Sequence, residues 1–216
     1  MVFKVIVCTL LAYFIGTFQT AIIFSKNVKK QDIRAFGSGN AGSTNMLRTF
    51  GWGAGAITFL GDLLKGALAA LVCGWIGGDL CVAFGGVAVL LGHIFPVEFG
   101  FKGGKGVATS FGVMLAISPL AALITFVVCA IIALVTRYVS IASLIGVLAF
   151  FITSLFMGRA AIAIMFFLIA VIVFCTHIGN IGRLLNGTEK PFYGNQKGES
   201  ARFGSSAAQP KKRNLK

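Results

Sequence analysis

Three short segments carry most of the polar chemistry of an otherwise apolar chain: GSGNAGSTNMLR (37–48), FGFKGGKGVATS (99–110) and THIGNIGRLLNGTEK (176–190). The first matches the G-x-G-x-x-G pattern of dinucleotide sites. That pattern has meaning only between a strand and a helix of a soluble βαβ unit. Here the polar stretch SKNVKKQDIRAF precedes it and an apolar run follows, so the dinucleotide reading fails on context. Its composition has another use. Gly39 and Gly42 allow backbone N–H groups to converge, Ser38, Asn40, Thr44 and Asn45 add side-chain donors, and Arg34 and Arg48 add fixed positive charge. Such a set can hold a phosphate or another oxyanion. The same residues also fit a polar turn with snorkelling basic side chains, and this segment alone does not choose between the two.

The second segment resembles a Walker loop, but Gly106 follows Lys105 where Ser or Thr would be needed, so it is not one by pattern. Its physics is similar. Gly103, Gly104 and Gly106 free the backbone, Lys102 and Lys105 supply charge, and a helix starting at Val107 would point its positive dipole end at an anion. Two anion loops imply one substrate with two phosphates or two phosphorylated substrates. In the third segment His177 and Asn180 stand at i and i+3, on one face of a continued helix. A lone histidine at a span end is commonly an interfacial hydrogen-bonder. Beside Asn180 and two anion loops it is also a candidate for orienting a hydroxyl or moving a proton. Arg183 and Glu189 fit a solvated helix-end pair. His93, the other histidine, has no carboxylate cluster for a metal site.

The elements that must position these segments are membrane helices. Of 216 residues, 57% are hydrophobic and 12% charged, where a soluble domain carries about 25% charged residues. Apolar runs cover Val2–Phe24, Trp52–Ile76, Leu80–Pro96, Val107–Thr136, Val139–Met157 and Ala160–Thr176. A net charge of +13 would point to nucleic acid in a soluble protein, but sixteen of the nineteen Lys and Arg fall in four of the segments between or after these runs. They lie in Lys26–Arg48, at Lys102 and Lys105, at Arg137, and after His177, which is the positive-inside distribution. All four segments therefore belong on the cytoplasmic side. The fourth run lies between Lys105 and Arg137, so it must cross out and return, bending at Pro119 as two helices of about 15 residues, roughly 22 Å each.

The expectation is an all-α polytopic membrane protein of about seven transmembrane helices, N-terminus outside and C-terminus cytoplasmic. One long bent helix over 107–136 gives the alternative count of six. Residues 1–190 form one membrane domain, and 191–216 form a basic tail without fixed structure that touches anionic lipid. Asp62 and Lys65, at i and i+3 within the second run, are expected to pair and to support the site. The abundant glycines, including Gly51, Gly53 and Gly55, read as close helix contacts. The five cysteines, none in C-x-x-C spacing, read as small core residues.

Taken together, GSGNAGSTNMLRTFG, GHIFPVEFGFKGGKGVAT and HIGNIGRLLNGTEK resemble, in order and spacing, the three signature motifs of the bacterial acyl-phosphate:glycerol-3-phosphate acyltransferases (PlsY-type). DLLKG (62–66) and TRYVSIAS (136–143) resemble further segments of that family, and the likeness extends from Arg34 to Lys190. Ala41 replaces a frequent proline and Ser43 a usual alanine; neither change removes a donor or a charge. The resemblance implies transfer of a fatty acyl group from acyl phosphate to the 1-hydroxyl of sn-glycerol 3-phosphate, giving 1-acylglycerol 3-phosphate and phosphate for phospholipid synthesis at the bacterial inner membrane. It implies that Ser38, His177 and Asn180 serve catalysis. Asn40, Thr44, Asn45, Arg48, Lys102, Gly103, Gly104, Lys105 and Ser143 would bind substrate phosphate. No metal, cofactor, nucleic acid or protein partner is expected. Acyl phosphate, glycerol 3-phosphate and membrane lipids are. A transporter or flippase for a phosphorylated metabolite is the alternative; it would carry inverted repeats and midplane binding residues, and neither is visible.

Overall fold

The structure, a computed structural model, describes residues 1–192, and these are helical with no strand among them. The helices in chain order are α1 (Val2–Thr17), α2 (Thr20–Val28), α3 (Ser43–Phe50), α4 (Trp52–Ile94), α5 (Val107–Ile117), α6 (Pro119–Thr136), α7 (Val139–Leu155), α8 (Ala160–Thr176) and α9 (Ile178–Leu185). Three stretches, Val2–Val28, Trp52–Phe99 and Pro119–Thr136, are long and apolar enough to cross a membrane. The bent pair α8–α9 makes a fourth.

Side-chain distribution on α4 is inside out relative to a soluble helix. Ile57, Leu60, Leu64, Leu68, Leu71 and Trp75 recur every three or four residues and are exposed, while Ala54, Thr58, Asp62, Lys65, Gly66 and Ala69 are buried. Lipid rewards an apolar exterior, and small inner residues let helix backbones approach. At Gly66 a methyl group would run into the Thr109 carbonyl, and at Gly112 into that of Leu63, so α4 and α5 pack backbone to backbone. Gly92 likewise abuts the Tyr13 carbonyl of α1. The glycines singled out at the start of α4 behave differently. Gly51 turns the chain between α3 and α4 at φ 88°, Gly53 faces open space, and only Gly55 packs closely, against Leu47.

Two expected reversals are present. In α4, Gly77 and Gly78 (φ 67°) leave helical geometry. A methyl on Gly85 would collide with Cys73. Twelve residues of straight helix would separate these two positions by about 18 Å, so residues 52–76 and 79–94 are arms of a hairpin. The break falls where the second and third apolar runs separate. At Ser118–Pro119 the fourth run breaks, and the Phe111 and Phe126 rings meet at 6.1 Å across the bend. Its arms are unequal, 11 and 18 residues, rather than two of about 15.

Other expectations are corrected. The first apolar run is two helices, interrupted at Phe18–Gln19. The carbonyls freed by that break need partners in an apolar interior. Lys65 Nζ donates to Gly16 O at 3.0 Å and Phe18 O at 2.6 Å, and Gln19 Nε2 donates to His93 O at 3.0 Å. Of the cysteines, four are buried, but Cys175 is exposed on α8. Phe192, placed in the tail by the sequence reading, is buried instead. Its N–H donates to Arg137 O at 3.0 Å and its ring meets Trp52 edge-on at 6.4 Å. The remainder of 191–216 lies outside the described residues.

Candidate functional site

The three polar segments converge on one cavity of about 1130 Å³. From the first segment it is lined by Ser38, Asn40, Ser43, Thr44, Asn45 and Arg48; from the second by Lys105, Gly106, Val107 and Ala108; from the third by His177, Asn180, Arg183 and Glu189. Two helix starts, α3 at Ser43 and α5 at Val107, face this space, and no side chain caps either one. First-turn N–H groups and the positive dipole ends are therefore turned toward the cavity. Arg48, Lys105 and Arg183 add positive charge to the wall. Phe50, Phe59, Val107 and Val139 give it an apolar side.

The first loop is not the open nest of N–H groups that its glycines imply. Ser38 N–H donates to Asn45 Oδ1 at 3.1 Å, Gly39 N–H to Phe36 O at 2.9 Å, and Ala41 N–H to Gly103 O at 3.4 Å. Asn45 is 2% exposed, and its amide also donates to Phe36 O and Asn40 O, each at 3.0 Å. It therefore holds the loop in shape with its bonding capacity spent, while Ser38, Asn40, Thr44 and Arg48 remain the reaching side chains. Arg34 is outside the lining. Its guanidinium bonds Asp32 and donates to Phe99 O at 2.7 Å, tying the first loop to the turn that begins the second. The Arg34 guanidinium bonded to it holds the Asp32 carboxyl far below its ordinary value.

Only part of the second segment reaches the cavity. Lys102 is exposed and outside the lining. Gly103 N–H donates to Ile94 O at 3.0 Å and Gly104 N–H to His93 O at 3.1 Å, so these amides fold the loop onto the end of α4. A side chain at either position would overlap His93, which is a packing requirement for glycine. Lys105 does reach in, and its ammonium bonds Asn180 Oδ1. Burial lowers its pKa to about 8; the charges of Arg183 and Arg48 act in the same direction, against that of Glu189.

The third segment bends by 57° between α8 and α9, at His177. The straight helix assumed from its spacing is broken, yet His177 and Asn180 both still line the cavity. His177 Nδ1 lies 2.8 Å from Val173 O. A carbonyl only accepts, so Nδ1 carries a proton; burial, and then the Lys105 charge, lower the ring's pKa to about 4, so the neutral ring presents Nε2 as an acceptor. Glu189, not singled out for the site from sequence, is the hub of this side. It accepts from Asn180 Nδ2 at 2.6 Å, Arg183 Nε at 2.7 Å and Ser140 Oγ at 3.1 Å. Burial alone would raise its pKa, but the Asn180 and Arg183 hydrogen bonds, the Arg183 charge and the Ser140 hydroxyl together hold it low. It is 7% exposed, not the solvated partner that its spacing from Arg183 implied. Ser143, one turn beyond Ser140 on α7, is buried and lines the cavity. Asp62 and His93 also reach the lining; the signal for Asp62 was an intramembrane charge, and for His93 there was none beyond its rarity.

The family model described as glycerol-3-phosphate acyltransferase matches residues 6–187. The chain is 42% identical over 199 residues to the glycerol-3-phosphate acyltransferase of Clostridioides difficile strain 630, covering 88% of this chain and 96% of that one. It is 45% identical over 181 residues to the same-named protein of Alkaliphilus metalliredigens strain QYMF, covering 83% and 91%. Among solved structures it is similar to the crystal structure of PlsY (YgiH), an integral membrane glycerol 3-phosphate acyltransferase, in its glycerol 3-phosphate form. There the TM-score is 0.84 at 38% identity, over 89% of this chain and 97% of that one. To the lysophosphatidic acid form it has a TM-score of 0.80 at 37% identity, over 87% and 94%.

Proposed function

This chain belongs to the glycerol-3-phosphate acyltransferase family, an integral membrane family, and from that premise we propose that it acylates the 1-hydroxyl of sn-glycerol 3-phosphate using acyl phosphate as donor. The observation that carries this reading is the shared cavity. Two uncapped helix starts and Arg48, Lys105 and Arg183 provide for phosphate on one side, and Phe50, Phe59 and Val139 provide for an acyl chain on the other. Two phosphorylated substrates, one with a lipid tail, match that division.

In the proposed reaction the glycerol hydroxyl oxygen attacks the acyl carbonyl carbon. The bond from that carbon to the phosphate oxygen breaks, and inorganic phosphate leaves carrying the hydroxyl proton. The donor is already activated, so positioning and charge stabilisation supply the catalysis. His177 orients the hydroxyl through Nε2, and Ser38 polarises the carbonyl. Asn180 is shared between Lys105 and Glu189 and fixes the Lys105 ammonium against phosphate. Asn40, Thr44, Arg48 and Ser143 contact the phosphates, whereas Asn45, Gly103 and Gly104 act by shaping the loops. Lys102 contributes long-range charge alone.

The chain crosses the bacterial inner membrane seven times, as α1, the two arms of α4, α5, α6, α7 and α8, with the N-terminus outside and the cavity on the cytoplasmic side. Residues 1–190 make one catalytic unit, Phe192 packs against it, and the sequence beyond is basic in composition. The basic clusters around the cavity segments support this orientation. The test is phosphate release by the purified full chain. It should require both palmitoyl phosphate and glycerol 3-phosphate and be essentially absent with palmitoyl-coenzyme A. Comparable rates with the thioester would overturn the donor assignment.

A further inference from the structure

Below the second loop lies a buried chain of polar groups that the proposed reaction does not use. Lys65 Nζ pairs with Asp62 Oδ1 at 3.1 Å, and that same oxygen stands 3.6 Å from His93 Nδ1. All three residues are at most 5% exposed. The lysine is anchored in turn on Gly16 O and Phe18 O at the break between α1 and α2. At its other end the chain meets the loop. The His93 carbonyl accepts from Gly104 N–H at 3.1 Å, and its ring fills the space where a Gly104 side chain would stand. Lys105 is the next residue.

An intramembrane carboxylate and ammonium are costly and need a return. A purely structural return is met by Lys65, which satisfies the broken helix, with Asp62 as its counter-ion. It leaves unexplained why a histidine stands beside that carboxylate and is set under two glycines. We propose that Asp62 and His93 are positioning residues for the acyl transfer: Asp62 holds the imidazole in place, and the imidazole is the floor that sets the height and direction of the loop carrying Lys105. This inference rests on the phosphate-binding role of Lys105 given above.

The test is a double-mutant cycle on the full chain, with His93→Ala and Lys105→Ala made singly and together. If His93 acts through Lys105, then His93→Ala lowers kcat/KM for glycerol 3-phosphate at least tenfold in the wild-type background and less than twofold in Lys105→Ala. Independent multiplication of the two losses overturns the proposal. Asp62→Asn should give the same non-additivity at a smaller loss, and it keeps the shape of the side chain if His93→Ala fails to fold. A second readout does not need turnover: the rate at which Lys105 reacts with an amine-specific reagent, followed by mass spectrometry. It should change at least threefold in His93→Ala or Asp62→Asn, while Lys190 is unaffected. An unchanged Lys105 rate overturns the positioning role whatever the enzyme's substrate. Wild-type protein inactive on acyl phosphate and glycerol 3-phosphate, with a changed labelling rate, would instead reject the functional reading and leave the loop support standing.

Discussion

Lys105 links the electrostatics of the cavity to a measurable pH dependence. Its pKa is about 8, against 10.5 for an ordinary lysine, because burial and then the charges of Arg183 and Arg48 disfavour the ammonium more than Glu189 favours it. A lysine that binds phosphate must be charged. With a pKa of about 8, roughly nine-tenths of the free enzyme carries that charge at pH 7 and roughly one-tenth at pH 9. The kcat/KM for glycerol 3-phosphate reports the free enzyme, so it should fall about tenfold between pH 7 and pH 9. An unperturbed lysine would give almost no change over that range. The substrate phosphate has its second pKa at about 6, so it is already roughly nine-tenths doubly ionised at pH 7 and does not contribute to the fall above it. The assay is a series of initial rates between pH 6.5 and 9.5 with glycerol 3-phosphate and palmitoyl phosphate both well below their KM, so that the rate reports the enzyme free of both substrates. Lys105→Arg stays charged across this range, so its profile should lack the descending limb even if its plateau is lower. A flat wild-type profile, or the same limb in Lys105→Arg, would refute the assignment.

Glu189→Gln removes the charge that Asn180, Arg183 and Ser140 all address. Its folded pKa is depressed, so its stabilisation is present above its ordinary value of 4.5 and is lost as pH falls through the folded value. On acidification from pH 6 to 3 the wild-type unfolding midpoint should therefore fall more steeply than that of Glu189→Gln, and equal slopes would exclude this role. Gly66→Ala drives a methyl into the Thr109 carbonyl, a backbone atom that cannot rotate away. A destabilisation of about 1–3 kcal/mol is expected in thermal unfolding, and a neutral result would mean that α4 and α5 separate easily. Cysteines placed at Asn40 and at Gly78, in a background without the native five, should differ in intact cells. The impermeant thiol reagent should label position 78 and spare position 40; the reverse pattern would invert the proposed orientation.

What the sequence alone determined follows from constraints that act locally. A bilayer demands long apolar runs, so the runs, the break at Pro119 and the separation between Ile76 and Leu80 are legible as composition. Charge asymmetry is a property of segments, and the three motifs are contiguous strings, so the family resemblance and the candidates Ser38, Arg48, Lys105, His177 and Asn180 could be named without coordinates. All five line the cavity.

Tertiary structure decided how the bonding capacity of each group is spent, because that depends on neighbours far along the chain. Asn45 has the chemistry of a phosphate ligand, and its donors and acceptor go to its own loop. Gly103 and Gly104 have the chemistry of a phosphate cradle, and their amides are bonded to the end of α4. Glu189 looked like half of a solvated pair until α7 brought Ser140 against it, 49 residues away in sequence. Asp62 and His93, 31 positions apart, meet only because α4 reverses at Gly77–Gly78. In an interior without water every polar group must find its partner inside the protein, and the chain's folding determines which partner it finds.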